Sequence, residues 1–151
     1  MKRFVWPLER LLDVTRRREE LLQAEMAKLL AEIERLRNEV SRRRGLLQRM
    51  LVDLAAQPLE KRLPGQQTFL AFATSVEREI AGLEGQIAQL QATRARTNER
   101  LQKERMQRQT LERLRERAEE RYRKDVARFE QKQTNEVARI AFVRASNEDR
   151  L

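Results

Sequence analysis

Carboxylates that recur along one stretch are the first candidates for chemistry in this sequence. Glu112, Glu116 and Glu120 follow one another at intervals of four residues, and each is followed directly by an arginine. Paired carboxylates can act as general acid and base. However, this spacing is typical of a solvated helix face held by ion pairs between neighbouring turns. Catalytic carboxylates also need a pocket that excludes water, which two paired helices do not supply. We therefore predict no catalytic residues.

The residue types that most metal sites and nucleophilic enzymes use are missing. The 151 residues include no His and no Cys, which excludes disulfides, Cys/His zinc sites, thiol nucleophiles and histidine acid–base chemistry. No glycine-rich phosphate loop and no nucleophile elbow occur in the sequence. The prediction is a protein that is not an enzyme, with no cofactor-binding residues and no metal ligands.

A basic stretch from Arg94 to Lys124 is the strongest candidate for binding. It holds 12 basic and 6 acidic residues, a surplus of 6 in a chain whose net charge is +9. Arginine outnumbers lysine there, and arginine suits bidentate contacts with carboxylates. Nucleic-acid binding would favour interleaved aromatic residues, but Tyr122 is the single aromatic. An acidic protein channel is therefore the favoured partner, with a merely solvated face and nucleic acid as alternatives.

Composition indicates which elements must position these residues. Charged residues make up 38% of the chain and aromatics 5%, with 4 Gly and 3 Pro, a composition typical of long helices. Pro7 suits the start of a helix, and the segment from Pro58 to Gly65 predicts a break. We predict an all-α protein with a helix over about 7–57, a turn over about 58–67 and a helix over about 68–146. Together they form a single coiled-coil domain, residues 1–151.

Apolar residues recur in both helices at alternating steps of three and four. In the first helix they are Leu22, Met26, Leu29, Ile33, Leu36 and Val40, and in the second Phe69, Ala73, Val76, Ile80, Leu83, Ile87 and Leu90. A sustained period of 3.5 residues predicts a coiled-coil seam, the line along which two helices pack. The short turn makes the helices antiparallel neighbours. The alternative is two amphipathic helices within a larger bundle.

The second helix should outrun the first. Folding about the turn places Leu8 near residue 117, which leaves an overhang of roughly 30 residues at about 1.5 Å per residue. The overhang carries apolar residues that need a partner: Val126, Phe129, Val137, Ile140, Phe142 and Val143. We interpret it as an element that inserts into another protein. A frayed or self-associating tail is the alternative.

Aromatic residues mark both ends of the predicted hairpin. Phe4 and Trp6 should lie level with Tyr122 and close the open end as a hydrophobic staple, or else contact a partner. Near the turn, Phe69 and Val76 belong to the seam, whereas Phe72 sits beside it. Exposed aromatics of this kind often anchor another protein. Tight packing under the turn is the alternative for Phe72.

The sequence gives no sign of a membrane segment. No apolar run approaches the roughly 20 residues that cross a bilayer, and Glu9 and Arg10 come too early for a secretory signal. We expect a cytoplasmic protein without direct membrane insertion.

Two stretches resemble the FliJ family of flagellar export proteins. The opening KRFVWPLERLL, residues 2–12, is similar to that family's basic and aromatic lead into its first helix. The stretch LERLRER at 111–117, with EQK at 130–132 and NEVA at 135–138, is similar to its C-terminal pattern, with Asn135 in place of the usual Asp. The resemblance covers the whole chain and the hairpin topology.

The resemblance implies a function and partners. Proteins of this kind are antiparallel coiled coils that sit as a stalk in the hexameric export ATPase, stimulate it and couple it to the export gate. They also bind the cytoplasmic part of the export-gate membrane protein and export chaperones, in the cytoplasm and at the periphery of the inner-membrane export apparatus. Related stalks serve virulence secretion systems. The rival functions are a basic nucleic-acid-binding coiled coil and a homodimeric scaffold, although no nucleic acid is expected.

The resemblance also implies site residues. The end that enters the ring would combine Lys2 to Arg10 with the second helix, where the contact candidates are Arg113, Arg117, Arg121, Arg123, Lys124 and Phe129. The candidates for the gate contact are Phe69, Phe72 and Val76. On the first helix the corresponding gate positions, apolar or aromatic in the family, are Arg42, Gly45 and Arg49.

Overall fold

The computed structural model describes residues 3–148 and consists of two long helices. Helix α1 spans Glu9–Ala56 and has 48 residues, and helix α2 spans Leu59–Glu148 and has 90. The helices pack against each other, and the described residues contain no strand. The predicted all-α hairpin with a longer second helix is confirmed.

The predicted turn over 58–67 is wrong in its extent. Only Gln57 and Pro58 separate the helices, and α2 runs through Pro64. Proline lacks the N–H that would bond four residues back, and its ring crowds that carbonyl. Pro64 nevertheless lies within the second turn of α2, behind good helix formers at 59–63. The local rule that proline ends a helix therefore fails at this position.

Two contacts with α1 hold the beginning of α2 in place. The Arg62 guanidinium donates to the carbonyl oxygens of Gln57 and Ala55 at 2.7 and 2.9 Å, and so satisfies carbonyls that the end of α1 leaves without helical partners. Gly65 passes close to Leu54: a Cβ added at Gly65 would lie 2.7 Å from Leu54 Cδ1. A side chain at residue 65 would therefore require the Leu54 side chain to move.

The contacts divide the chain into two compact units. The terminal unit contains the residues up to 17 and those from 104 onward, and the turn unit contains residues 18–103. In the terminal unit Trp6, Leu12 and Leu111 form a buried cluster, with Phe4 and Ala118 packed against it.

The turn unit has its own core. Val40, Val76 and Ile80 are buried together there, and Leu47, Leu83 and Ile87 pack around them. Each core residue lies on the predicted seam, so the 3.5-residue period places the apolar side chains correctly in both helices. The assignment of residues 1–151 to a single domain stays a prediction.

The seam contains polar residues as well as apolar ones. Thr15 is fully buried and donates to the Leu11 carbonyl oxygen at 2.8 Å, while Thr97 is buried and lies 3.5 Å from a Glu25 carboxylate oxygen. Glu104 has a buried carboxylate oxygen with no hydrogen-bond partner among the described residues. Such positions weaken a coiled coil but help to fix its register.

Candidate partner-binding surfaces

A row of exposed arginines runs along one side of α2 in the terminal unit. Arg113, Arg117 and Arg121 are spaced by four residues, so they lie on neighbouring turns. Within residues 3–148 no carboxylate comes within salt-bridge distance of these three guanidinium groups; Arg121 Nε instead donates to the Arg117 carbonyl oxygen at 3.4 Å. The row therefore presents guanidinium groups that no carboxylate of the described residues pairs with directly.

The other two predicted cations are paired within α2. Arg123 bonds Glu119 at 2.7 Å, and Lys124 bonds Glu120 at 2.6 Å. The hydrogen bond from Lys124, more than its charge, lowers the pKa of the Glu120 carboxyl below its ordinary value. Both cations still project into solvent, but a partner carboxylate would have to compete with these internal partners. Arg123 and Lys124 are thus weaker candidates than the arginine row.

Phe129 lies beyond the part of α2 that α1 covers. Its side chain is 44% exposed, and every residue from 127 to 147 is exposed. We call residues 127–147 the overhang. The overhang is therefore shorter than the roughly 30 residues predicted, because Phe4 packs on Tyr122 and the residues before α1 cover more of α2. Its exposed apolar residues include Val137, Ile140 and Phe142.

Leu114 places an exposed apolar side chain beside the arginine row, at a residue that sequence reasoning missed. It is 39% exposed and lies one turn before Arg117. On α1, Leu11 and Val14 are also about 40% exposed. The sequence signal that could have identified these exposed residues is an apolar residue directly beside a seam position, as Leu11 is beside Leu12. An apolar rim next to cations suits the docking of an amphipathic acidic segment.

The aromatic residues before α1 close the terminal unit. Phe4 and Tyr122 have ring centroids 5.3 Å apart with planes tilted by 49°, and Trp6 is 8% exposed in the buried cluster. The staple interpretation of Phe4 and Trp6 therefore describes their packing. Lys2, at the start of the expected ring-entering segment, lies outside the described residues.

Ion pairs between the helices fix the register of the terminal unit. Glu9 accepts a hydrogen bond from Arg115 at 2.9 Å, and Arg16 bonds Glu112 at 3.2 Å. The bond to Glu9 raises the pKa of the Arg115 guanidinium further above its ordinary value. These contacts place residue 9 beside residue 115, close to the predicted level of Leu8 with residue 117.

The three gate candidates in the turn unit differ in accessibility. Phe72 is 38% exposed, Phe69 is half-buried, and Val76 is buried against Val40 and Ile80. The predicted division between seam residues and a flanking Phe72 matches this burial. Phe72 can reach a partner while the hairpin stays closed, whereas Val76 can do so only if the seam opens.

A shallow groove lies on the first-helix side of this region. It has a volume of about 470 Å³ and is lined by α1 residues around Gly45 and Arg49, with Val52 exposed beside it. A Cβ added at Gly45 would meet nothing within 4 Å, so the missing side chain leaves the groove open. Of the three first-helix positions expected at the gate contact, Gly45 and Arg49 line this groove and Arg42 does not.

Two further features of the described residues bear on chemistry. Between residues 3 and 148 no three carboxylates cluster as a metal ion would require. No helix in this part of the chain combines the length and the apolar character that spanning a bilayer demands.

The family model for the flagellar FliJ protein matches residues 4–147. The chain belongs to the FliJ family. No curated protein and no solved structure matches it. Membership in the FliJ family makes the chain a component of the flagellar export apparatus, and the FliJ family is a non-catalytic part of that apparatus.

Proposed function

We propose that this FliJ-family protein is the central stalk of the flagellar export ATPase. In this proposal the terminal unit inserts into the hexameric ring, stimulates hydrolysis and couples it to the export gate. The supporting observation is the row Arg113, Arg117 and Arg121, whose guanidinium groups have no carboxylate partner within residues 3–148. A ring lumen lined with carboxylates would supply those partners.

The mechanism requires unequal contacts with the ring. A two-helix hairpin has no six-fold symmetry, so it meets the six subunits with different faces. A stalk changes the nucleotide states of the subunits only if it binds their alternative conformations with different free energies. The arginine row is on one side of α2. It would favour the subunit conformation that brings carboxylates of the ring nearest to these arginines.

A charge-reversal experiment tests the ring contact. We expect Arg117→Glu with Arg121→Glu to abolish stimulation of ATPase turnover and to weaken binding to the ring by about tenfold or more, because each substitution replaces attraction by repulsion. Lys28→Glu with Arg37→Glu is the matched control, since it makes the same charge change at exposed residues of the turn unit. Stimulation that survives the first pair, or is lost equally with the second, would contradict the proposal.

The gate contact is proposed for the exposed side of the turn unit. We expect Phe72→Ala to weaken binding of the cytoplasmic part of the export-gate protein by about tenfold, as for an aromatic anchor at an interface. Leu70→Ala is the control, because Leu70 is 63% exposed two residues away and points elsewhere on the helix. Equal effects of the two substitutions would argue against a specific anchor.

The wider setting is part of the same proposal. The protein works in the cytoplasm at the periphery of the inner-membrane export apparatus and also binds export chaperones. Pull-down of the ATPase, the gate fragment and a chaperone by the purified chain tests each partner separately.

A further inference from the structure

The overhang carries an apolar line of its own, which restarts one turn after Tyr122. Val126, just before the overhang, and Phe129, Ile140 and Val143 within it are spaced by steps of three and four, with Gln133 and Glu136 at the positions between them. Phe129, Ile140 and Val143 are 44–50% exposed. Because Phe4 packs on Tyr122, the residues before α1 cover this side of α2 only about as far as residue 122. The same side is uncovered from residue 127 onward.

The hairpin itself shows how a line of this spacing accepts a second helix. In the terminal unit Leu12 and Leu111 share one buried cluster. The flanking ion pair joins the residue four after Leu12, Arg16, to the residue one after Leu111, Glu112, at 3.2 Å. An antiparallel helix is therefore bound in two ways. One is an apolar layer, and the other is a charge pair that lies four residues after the layer on one helix and one residue after it on the other.

Two copies of the overhang can form the same arrangement of an apolar layer and a displaced charge pair. If two copies pair antiparallel with Phe129 facing Ile140 of the second copy, Val126 faces Val143 of the second copy. The residue one after Phe129 is Glu130, and the residue four after Ile140 is Arg144. An opposite-charge pair thus falls at the displacement that the hairpin uses, and the two-fold symmetry creates it twice.

We propose that the overhang, together with Val126 just before it, is a self-pairing segment, through which two copies of this chain associate by an antiparallel coiled coil over residues 126–143. The second copy would lie against α2 in the same antiparallel sense as α1 does. We assign a second copy of the chain to this surface because both the apolar layers and the Glu130–Arg144 pairing are self-complementary.

The pairing should be weak because its central layer is polar. Gln133 faces Glu136 of the second copy, a polar layer that lowers stability while specifying register. On the other flank Lys132 and Arg139 approach each other, but Glu136 already bonds Arg139 at 2.9 Å and offsets that charge. Association should therefore depend on concentration, with monomer and dimer in exchange.

The test uses charge swapping. By sedimentation equilibrium, the wild-type chain should rise from its 18.0-kDa monomer mass towards twice that mass with concentration. Glu130→Arg alone and Arg144→Glu alone should each weaken self-association by about tenfold or more, because both symmetric pairs become repulsive. An equimolar mixture of the two variants should recover the wild-type dimer, since each chain then offers the charge that the other lacks.

Controls make each outcome decisive. Arg128→Glu changes a charge off the seam, on a side chain that is 79% exposed, and should leave the dimer intact. Since the chain has no cysteine, Val126→Cys and Val143→Cys should cross-link to each other in a mixture, whereas parallel pairing would link Val126→Cys to itself. A wild type that stays monomeric, single variants that still dimerise, or a mixture that does not recover would each overturn the proposal.

Self-pairing would cover Phe129, one of the ring-contact candidates. A dimer and a ring-bound stalk would then exclude each other. This consequence rests on the proposed function, but the mass measurements need no ATPase and stand or fall independently of it.

Discussion

At the scale of single residues, the glycines separate open positions from close contacts. A Cβ added at Gly82 would meet no atom within 4 Å, whereas at Gly65 it would lie 2.7 Å from Leu54 Cδ1. Both residues lie inside α2, where glycine costs conformational entropy relative to alanine. The two positions therefore share the same intrinsic gain on substitution but differ in the space available.

Gly82→Ala should stabilise the protein by about 0.5–1 kcal/mol, because it restricts the unfolded chain without a clash. Gly65→Ala should gain less, since Leu54 must move to make room. Urea unfolding followed by circular dichroism measures both. Equal gains would mean that Leu54 does not pack on residue 65.

Trp6 is the largest side chain in the closing cluster of the terminal unit. Trp6→Ala should destabilise the protein by about 3 kcal/mol, the low end for removing a buried large aromatic. Val5→Ala, at a neighbouring residue that is 80% exposed, should change the free energy of unfolding by less than about 0.5 kcal/mol. Chemical denaturation of the two variants side by side compares them. A loss at Trp6 no larger than at Val5 would show that the cluster does not close the end.

At the scale of elements, Pro64 lies in a helix although proline disfavours helical structure. It lies inside α2 and removes one helical hydrogen bond. Its side chain is exposed, so replacement should cost little packing. The gain from Pro64→Ala is therefore a measure of the strain that α2 tolerates there.

We expect Pro64→Ala to raise the free energy of unfolding by about 1–3 kcal/mol, below or at the full cost of an interior proline. Pro58→Ala is the control, since Pro58 precedes α2 and costs it no hydrogen bond. Thermal melts report both. A Pro64→Ala variant less stable than the wild type would mean that proline is needed to direct the chain out of the connection.

At the scale of the whole molecule, the overhang is separable from the folded hairpin. All residues from 127 to 147 are exposed, so they contribute little burial to folding. Deleting residues 130–151 should change the free energy of unfolding by less than about 0.5 kcal/mol at low protein concentration. The same deletion should abolish self-association. A marked loss of stability in urea titrations would show instead that these residues support the hairpin.

Much of this fold could be predicted from sequence because it follows from one repeated pattern. The 3.5-residue period identifies Val40, Val76 and Leu111 as seam residues, and all three are buried. The level of the N-terminal aromatics with Tyr122 follows from counting residues about the turn. The connection could not be predicted in the same way, because Arg62 reaches α1 carbonyls and Gly65 packs on Leu54, contacts that no local rule contains.

The candidate surfaces were predictable only in part. Burial of Val76 and exposure of Phe72 follow from their seam and flank positions. Which arginines stay unpaired does not follow, since Arg117 and Arg123 both have glutamates within four residues and only Arg123 bonds one of them. Binding specificity also depends on a complementary surface that belongs to another molecule.

The isolated course of α2 past residue 126 has a consequence for recognition. A helix without lateral support is held by its own backbone bonds alone, so its amide protons should exchange with solvent sooner than those beside α1. Whatever grips this segment must first offset the entropy of keeping it helical. Capture there would thus be read out as newly slowed deuterium uptake, a signal absent from the already supported stretch of the same helix.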